Sequence, residues 1–337
     1  MANLTTNYLG IALKNPLIMG ACNLTLDTDT ARRIEDAGAS AIVFKSLFEE
    51  QINLESIQLE EDLSEYAERN AEMINLFPSL KHAGPVENLE KLAKLNSMLG
   101  IPVIGSLNCV NRDTWIDYAM QMAQTGVDAL ELNFYSTPGS FDVSSASLEQ
   151  EQVSLVSEIK SRVKIPVSVK ISPFYSNTLH LVKQMDQAGA DGVVLFNRLF
   201  QPDLDVDKKQ HSFSFYLSQT GDYRLPLRFI GLLHKQIKAG ICANTGVFTG
   251  QDMVRMILAG ADAVQVVSTV YVNKVSQIGY MLNDMVKWME AGNYASVNDF
   301  KGMLSKAEVK DPYAYQRAQY VDLLMKPFEL MRKYPQV

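Results

Sequence analysis

The sequence predicts an α/β protein of the (β/α)8 class, a TIM barrel, with long loops at the C-terminal face and a C-terminal helical extension. Three observations favour this fold: short apolar runs alternate with helical patterns, the runs number eight, and glycine-containing turns recur before them. A chain of 337 residues is long enough for such a barrel. An open, doubly wound sheet is the alternative, but no G-x-G-x-x-G follows the first predicted strand.

The eight apolar runs that we predict as barrel strands are short and bounded by turn residues. They cover residues 16–20, 41–45, 102–107, 129–133, 166–171, 192–197, 239–243 and 263–269. Four of them follow a repeated turn in which Gly is the expected C-cap of the preceding helix. These turns read Ala37-Gly38-Ala39-Ser40, Thr125-Gly126-Val127-Asp128, Ala188-Gly189-Ala190-Asp191 and Ala259-Gly260-Ala261-Asp262. The alternation predicts parallel strands joined by right-handed helical crossovers.

Three segments are longer than barrel connections require, and each follows a strand, so we expect them at the C-terminal face. They are residues 46–87, 135–150 and 198–225. Loops of this length usually form the walls or lids of a site. From residue 298 onward the apolar residues keep a broadly helical spacing. This predicts a helical extension over 298–337 that packs on the 1–297 barrel or on a second subunit.

Composition and charge exclude several classes of protein. A hydrophobic content of 47% and a charged content of 20% are typical of globular domains, and a net charge of −7 argues against nucleic acid or anionic membrane as the main partner. We find neither a signal peptide nor a membrane span, and we expect a cytoplasmic protein. Cys22, Cys109 and Cys242 form no C-x-x-C pair, so we expect neither disulfides nor a metal site.

A candidate phosphate site follows the seventh and eighth predicted strands. The run at 239–243 breaks into Asn244-Thr245-Gly246, and a helical pattern begins at Gln251. Gly246 can adopt a positive φ, and the free N–H groups at the start of the helix can bind an anion. The next strand ends in Ser268-Thr269, and phosphate sites of barrels frequently use these two loops. An ordinary βα turn is the alternative.

Polar side chains close several of the other predicted strands. Lys45 and Lys170 each end an apolar run, and because burying an unpaired ammonium is costly, each lysine should meet an acceptor. A structural salt bridge is the alternative for either lysine alone. Both lysines beside a phosphate site suit a planar, electron-accepting, phosphorylated cofactor such as a flavin. Asn133 and Asn197 can donate and accept hydrogen bonds, as a cyclic amide or imide substrate requires.

These motifs resemble those of the dihydroorotate dehydrogenases, in particular the soluble class 1 enzymes, over about residues 3–290. The opening Leu13-Lys14-Asn15-Pro16-Leu17 is similar to the hairpin that leads into the family's first strand. The resemblance implies an FMN-dependent barrel that oxidises dihydroorotate to orotate in pyrimidine biosynthesis. It also implies a homodimer that acts on a small molecule.

The resemblance carries over residue by residue at the cofactor and substrate positions. The residues that match cofactor-binding positions are Gly20, Ala21, Lys45, Ser46, Asn133, Lys170, Gly221, Thr245, Gly246, Ser268 and Thr269. The residues that match substrate-binding positions are Asn133, Asn197 and Asn75. At the phosphate loop the family's double glycine is Thr245-Gly246 in this chain.

The substrate loops diverge from the family pattern. Where the family reads Asn-x-Ser-Cys-Pro-Asn, this chain reads Asn-Phe-Tyr-Ser-Thr-Pro over 133–138, which puts Ser136 at the position of the catalytic base, with Lys45 as the second catalytic residue. The family's Asn-x-Met-Gly-Leu-Pro-Asn is replaced over 70–78.

This divergence leaves three other functions open. The chain could oxidise another reduced heterocycle with FMN, bind a flavin or phosphate without turnover, or act as a non-redox lyase or isomerase with a Schiff-base lysine. Without an iron–sulfur or NAD motif, the expected electron acceptor is a soluble compound or a partner subunit.

Overall fold

The computed structural model describes residues 2–49, 83–134, 141–198, 202–212, 216–326 and 332–333. Its strands are β1 (Thr6–Tyr8), β2 (Ile11–Leu13), β3 (Leu17–Met19), β4 (Ala41–Val43), β5 (Leu47–Phe48), β6 (Val103–Asn108), β7 (Ala129–Asn133), β8 (Val167–Ile171), β9 (Gly192–Leu195), β10 (Asp203–Asp205), β11 (Gln210–Ser212), β12 (Gly240–Ala243) and β13 (Ala263–Val266). Its α-helices are α1 (Thr28–Asp36), α2 (Ala83–Met98), α3 (Arg112–Gln124), α4 (Ser145–Arg162), α5 (Thr178–Gln187), α6 (Arg224–Leu233), α7 (Gly250–Ala259), α8 (Ser268–Asn273), α9 (Gln277–Ala291) and α10 (Arg317–Leu324).

The main sheet is a closed parallel barrel. Its strands are hydrogen-bonded in the order β4-β3-β13-β12-β9-β8-β7-β6, and a pairing between β4 and β6 closes the ring. The short β5 extends the sheet by pairing with β6 alone. These bonded strands coincide with the eight apolar runs, which are buried on both faces because helices cover the outside. The predicted (β/α)8 fold is therefore confirmed.

The hairpin of β1 and β2 closes the N-terminal end of the barrel. Tyr8 and Leu9 are buried there, together with inward-facing residues of the strands. A Cβ at Gly192 would lie 2.5 Å from Leu9 Cδ2, so the glycine lets the hairpin side chains pack closely against β9. A larger apolar cluster fills the layer between strands and helices. The open end is thus the C-terminal face.

Local sequence signals explain where the helices next to the site begin and end. A capping box starts α7, because Thr249 accepts a hydrogen bond from the Asp252 N–H while the Asp252 side chain accepts one from the Thr249 N–H. Gly260 ends the same helix with a φ of 119°. These two caps fix α7 directly behind the β12 loop.

The long segments after β4, β7 and β9 leave the barrel at its C-terminal face. The third contains the antiparallel hairpin of β10 and β11. Beyond residue 297, turns and short 3-10 segments precede α10, and no residue of α10 is buried. Tyr315 packs against Gly231 of α6, and its Oη donates to the Leu304 carbonyl at 2.6 Å. The boundary at 297/298 stays a prediction.

Candidate functional site

A cavity of about 430 Å³ opens at the C-terminal mouth of the barrel. Its walls come from the ends of seven barrel strands and from the segment that precedes α6. The residues that carry its chemistry are Lys45, Ser46, Asn133, Lys170, Asn197, Arg198, Ser218, Thr245, Gly246, Gln265 and Ser268. In barrels of this class the active site lies at this face.

The β12 loop forms one end of the cavity. Thr245 and Gly246 both have a φ of 75°, and the Thr245 hydroxyl donates to the Phe196 carbonyl at 2.9 Å. A Cβ at Gly246 would lie 2.3 Å from the Tyr223 nitrogen, so glycine is required there. No described residue accepts a hydrogen bond from the N–H of Gly246 or Val247, although both residues line the cavity. These N–H groups are available to an anion.

Two serine hydroxyls lie beside this loop. Ser218 Oγ donates to Ser268 Oγ at 2.7 Å, and the Ser218 N–H donates to the same oxygen at 3.1 Å. The two hydrogen bonds hold the segment before α6 against the end of β13. The Ser268 proton is thereby directed away from Ser218, which leaves it able to donate to a ligand.

A buried charged group forms the floor of the cavity. Lys170 Nζ lies 3.5 Å from Glu131 Oε1 and donates to Gln265 Oε1 at 3.4 Å. Gln265 Nε2 in turn donates to Glu131 Oε2 at 2.5 Å. Glu131 and Gln265 are almost completely buried, so the three side chains hold one another in place across the barrel interior. Lys170 thus presents a fixed ammonium to the cavity.

Amide and hydroxyl side chains line the cavity beside Lys170. Asn133 lies next to Lys170 on the adjacent strand, and its Oδ1 accepts from Asn197 Nδ2 at 2.7 Å. Its backbone carbonyl accepts from Asn108 Nδ2 at 2.6 Å. Ser46 Oγ shares a 2.7 Å hydrogen bond with Ser106 Oγ. The amides are therefore ordered before any ligand binds.

Two further cations line the cavity. Lys45 is half-buried, and no ion pair joins it to the described part of the chain. Arg198 forms an ion pair with Asp222, with 2.6 Å between Nη1 and Oδ2, and its guanidinium lies over the Tyr216 ring. Together with Lys170 they make the wall suited to anionic ligands.

Cys22 and Tyr271 line the cavity on the β3 side. Burial raises the pKa of the Cys22 thiol, and burial raises the pKa of Tyr271 to about 12. Both groups are therefore protonated at neutral pH. Neither is suited to remove a proton from a substrate.

The structure brings most of the residues named from sequence into this cavity. Those that line it are Ala21, Lys45, Ser46, Asn133, Lys170, Asn197, Thr245, Gly246 and Ser268. Ser136 and Asn75 lie outside the described residues. Lys170 meets the acceptors expected for a buried lysine. A metal-binding role was not predicted for any residue, and no cluster of metal-ligand type occurs in the described part of the chain.

Three predicted cofactor residues do not line the cavity. A Cβ at Gly20 would lie 2.8 Å from Val267 Cγ2, so Gly20 faces β13. Thr269 is fully buried and donates its hydroxyl proton to the Phe248 carbonyl at 3.0 Å. Gly221 lies in the segment before α6, where Arg224 donates to its carbonyl. Their cofactor roles stay predictions.

Sequence reasoning missed Glu131, Gln265, Arg198 and Ser218. A signal existed for the first two, because a charged or amide side chain in the middle of an apolar strand needs a buried partner. Glu131 also lies two residues before Asn133, which places both side chains on the inner face of β7. Arg198 and Ser218 lie in a loop segment without periodicity, and nothing local distinguished them.

The chain is also similar in sequence to known proteins of one family. A family model described as dihydroorotate dehydrogenase matches residues 3–289. The chain is 28% identical over 308 residues to the dihydroorotate dehydrogenase B (NAD(+)) catalytic subunit of Thermoplasma acidophilum, which covers 90% of this chain and 99% of that relative. It is 27% identical over 227 residues to dihydroorotate dehydrogenase A (fumarate) of Lactobacillus delbrueckii subsp. bulgaricus, which covers 64% of this chain and 72% of that relative.

A solved structure is similar in fold. Dihydroorotate dehydrogenase from Eimeria tenella, crystallised with ferulenol, superposes with a TM-score of 0.62 at 14% identity. The match covers 89% of this chain and 88% of that one. In the described residues no helix is both long and apolar enough to cross a membrane.

Proposed function

The chain belongs to the dihydroorotate dehydrogenase family, and from that premise we propose that it oxidises dihydroorotate to orotate with FMN as its cofactor. The observation that carries the proposal is the convergence of a fixed lysine, ordered amides and free N–H groups around one cavity at the barrel mouth. The reaction removes a hydride and a proton from neighbouring carbons of the substrate. FMN supplies the acceptor for the hydride when it is bound.

The cavity fits FMN by the chemistry of its donors. The N–H groups of Gly246 and Val247, with the hydroxyl of Ser268, suit the phosphate. Lys170 suits the electron-rich carbonyl side of the flavin ring, where a positive charge stabilises the reduced form. We assign the rest of the cofactor contacts to Ala21, Lys45, Ser46 and Asn133, which line the same cavity.

Asn133 and Asn197 are the proposed substrate ligands. Each amide offers a donor and an acceptor, which matches the alternating N–H and C=O groups of a dihydropyrimidine ring. Their mutual hydrogen bond fixes both amides, so little entropy is lost when a substrate binds. Asn75 is proposed as a third substrate ligand on the basis of the family resemblance.

Ser136 is the proposed base. A serine hydroxyl is weakly basic, so it removes the proton with the help of a neighbouring group or water. We expect Ser136→Ala to slow flavin reduction by dihydroorotate about 100-fold or more in stopped-flow absorbance, with the FMN content unchanged. Ser147→Ala, on the exposed start of α4, is the control. An unchanged rate in the Ser136 variant would refute the role.

The direct test of the proposed function is formation of orotate. Purified protein is incubated with dihydroorotate and with NAD+ or fumarate, the acceptors in the names of the two relatives. Orotate is then measured by chromatography. Orotate formed with either acceptor supports the proposal, whereas protein whose bound FMN is not reduced by dihydroorotate without oxygen points to another reduced heterocycle.

We further propose a homodimer that works in the cytoplasm. Support for association comes from α10, where Tyr320, Val321, Leu323 and Leu324 are exposed. Support for the compartment comes from Cys22, Cys109 and Cys242, none of which forms a disulfide. Light scattering coupled to size-exclusion chromatography measures the mass in solution, and a monomeric mass would refute the dimer.

A further inference from the structure

Arg198 is a cation of the cavity that no step above uses. It follows Asn197 directly at the end of β9, and 28% of its side chain is exposed. Asp222 Oδ2 binds its Nη1 at 2.6 Å, and the Tyr216 ring centroid lies 5.1 Å from its Cζ. An ion pair on one side and an aromatic ring on the other hold the guanidinium in one orientation.

The other edge of this guanidinium has no partner among the residues that the structure describes. Nε is buried and makes no hydrogen bond, and Nη2 makes none to any residue that the structure describes. A buried N–H without an acceptor is unfavourable, because it has lost its water and gained nothing in return. Nε and Nη2 point the same way and together match the two oxygens of a carboxylate or a phosphate.

We propose that Arg198 is an anion-binding residue of the cavity, which takes an anionic oxygen through its Nε–Nη2 edge. The inference rests on the proposed function, which brings two such groups into the cavity: the carboxylate of the substrate and the phosphate of FMN. Arg198 lies between the proposed substrate ligand Asn197 and the proposed phosphate loop at Gly246. Asn197 precedes it in the chain, and its partner Asp222 lies against Gly246, where a Cβ would be 2.8 Å from Asp222 Cβ.

Two pairs of ligands show whether Arg198 binds the substrate carboxylate or the FMN phosphate. FMN and riboflavin differ in the phosphate alone, and orotate and uracil differ in the carboxylate alone. The dissociation constants of the flavins are measured by fluorescence quenching of the flavin-free protein. Those of orotate and uracil are measured by the change that they cause in the absorbance of the FMN-loaded protein.

Arg198→Met removes the charge and all donors while it keeps an unbranched side chain. We expect it to weaken binding of FMN but not riboflavin, or of orotate but not uracil, by about tenfold or more, the loss expected for a charge-assisted hydrogen bond. The first result identifies the phosphate and the second the carboxylate. Arg198→Lys keeps the charge without the paired N–H edge, and we expect an intermediate loss.

The matched control is Arg112→Met. Arg112 pairs with Glu158 at the same 2.6 Å and is similarly exposed, at 38%, but it lies on α3 outside the cavity. We expect it to leave both affinity ratios unchanged. Wild-type ratios in both Arg198 variants would overturn this inference and leave the proposed function intact. A wild-type protein that binds neither FMN nor orotate would overturn both.

Discussion

Gly246 is the residue at which conformation and binding are most closely linked. Its φ of 75° and the 2.3 Å distance from a hypothetical Cβ to the Tyr223 nitrogen leave no space for a side chain. Its N–H lines the cavity without a partner among the described residues. A side chain here would both strain the turn and push the segment before α6 away from the cavity.

We therefore expect Gly246→Ala to lower the free energy of unfolding and to weaken FMN binding. Gly10 is a matched control, because its φ is 74° and a Cβ there would have no atom within 4 Å. In both variants the positive φ should cost about 1–2 kcal/mol. The clash at Gly246 should add about 1–3 kcal/mol. Urea unfolding measures both, and equal losses in the two variants would contradict the account.

Glu131 is the residue that fixes Lys170. Its carboxylate is fully buried, so its charge is balanced inside the barrel by Lys170 at 3.5 Å and by the amide of Gln265. Breaking a buried pair by removing one charge leaves the other uncompensated.

We expect Glu131→Gln to lower the free energy of unfolding by about 3 kcal/mol and to weaken FMN binding. Glu87→Gln is the control, because Glu87 pairs with Lys91 on the surface at 2.6 Å, where such pairs contribute about 0–1 kcal/mol. Chemical denaturation and FMN titration give the two quantities. A loss no larger than that of the control would show that the buried pair does not stabilise the floor of the cavity.

At the scale of elements, Glu49 connects the segment after β4 to the start of α3. Its carboxylate accepts from the N–H groups of Val110 at 2.7 Å and Asn111 at 3.0 Å, and also from the Asn111 side chain. Burial alone would raise the pKa of Glu49, but these donors favour the charged form more strongly and the net pKa is lowered.

A lowered pKa in the folded state predicts how stability depends on pH. The contribution of Glu49 is present above the ordinary Glu value of about 4.3 and is lost as pH falls through the lower folded pKa. We expect Glu49→Gln to be less stable at pH 7 by about 1–3 kcal/mol and to lose part of the slope below pH 4.3. Exposed Glu151→Gln should keep the wild-type slope. A variant with an unchanged slope would contradict the assignment.

The barrel strands could be predicted from sequence because strands of a closed parallel sheet are buried on both faces and read as continuous apolar runs. The candidate ligands could also be predicted, because parallel strands all end at one face of the barrel. The pairing of side chains inside the barrel could not be predicted, because Gln265 and Glu131 are 134 residues apart in the sequence. The positive φ of Thr245 was also missed, since a β-branched residue rarely adopts it.

For the whole molecule, we propose that electrons pass from dihydroorotate to FMN bound in the cavity. The most direct measurement is an anaerobic absorbance spectrum of the FMN-loaded protein before and after dihydroorotate is added. We expect the flavin band to be lost and orotate to form in an amount equal to that of the flavin reduced. A flavin that dithionite reduces but dihydroorotate does not would contradict it.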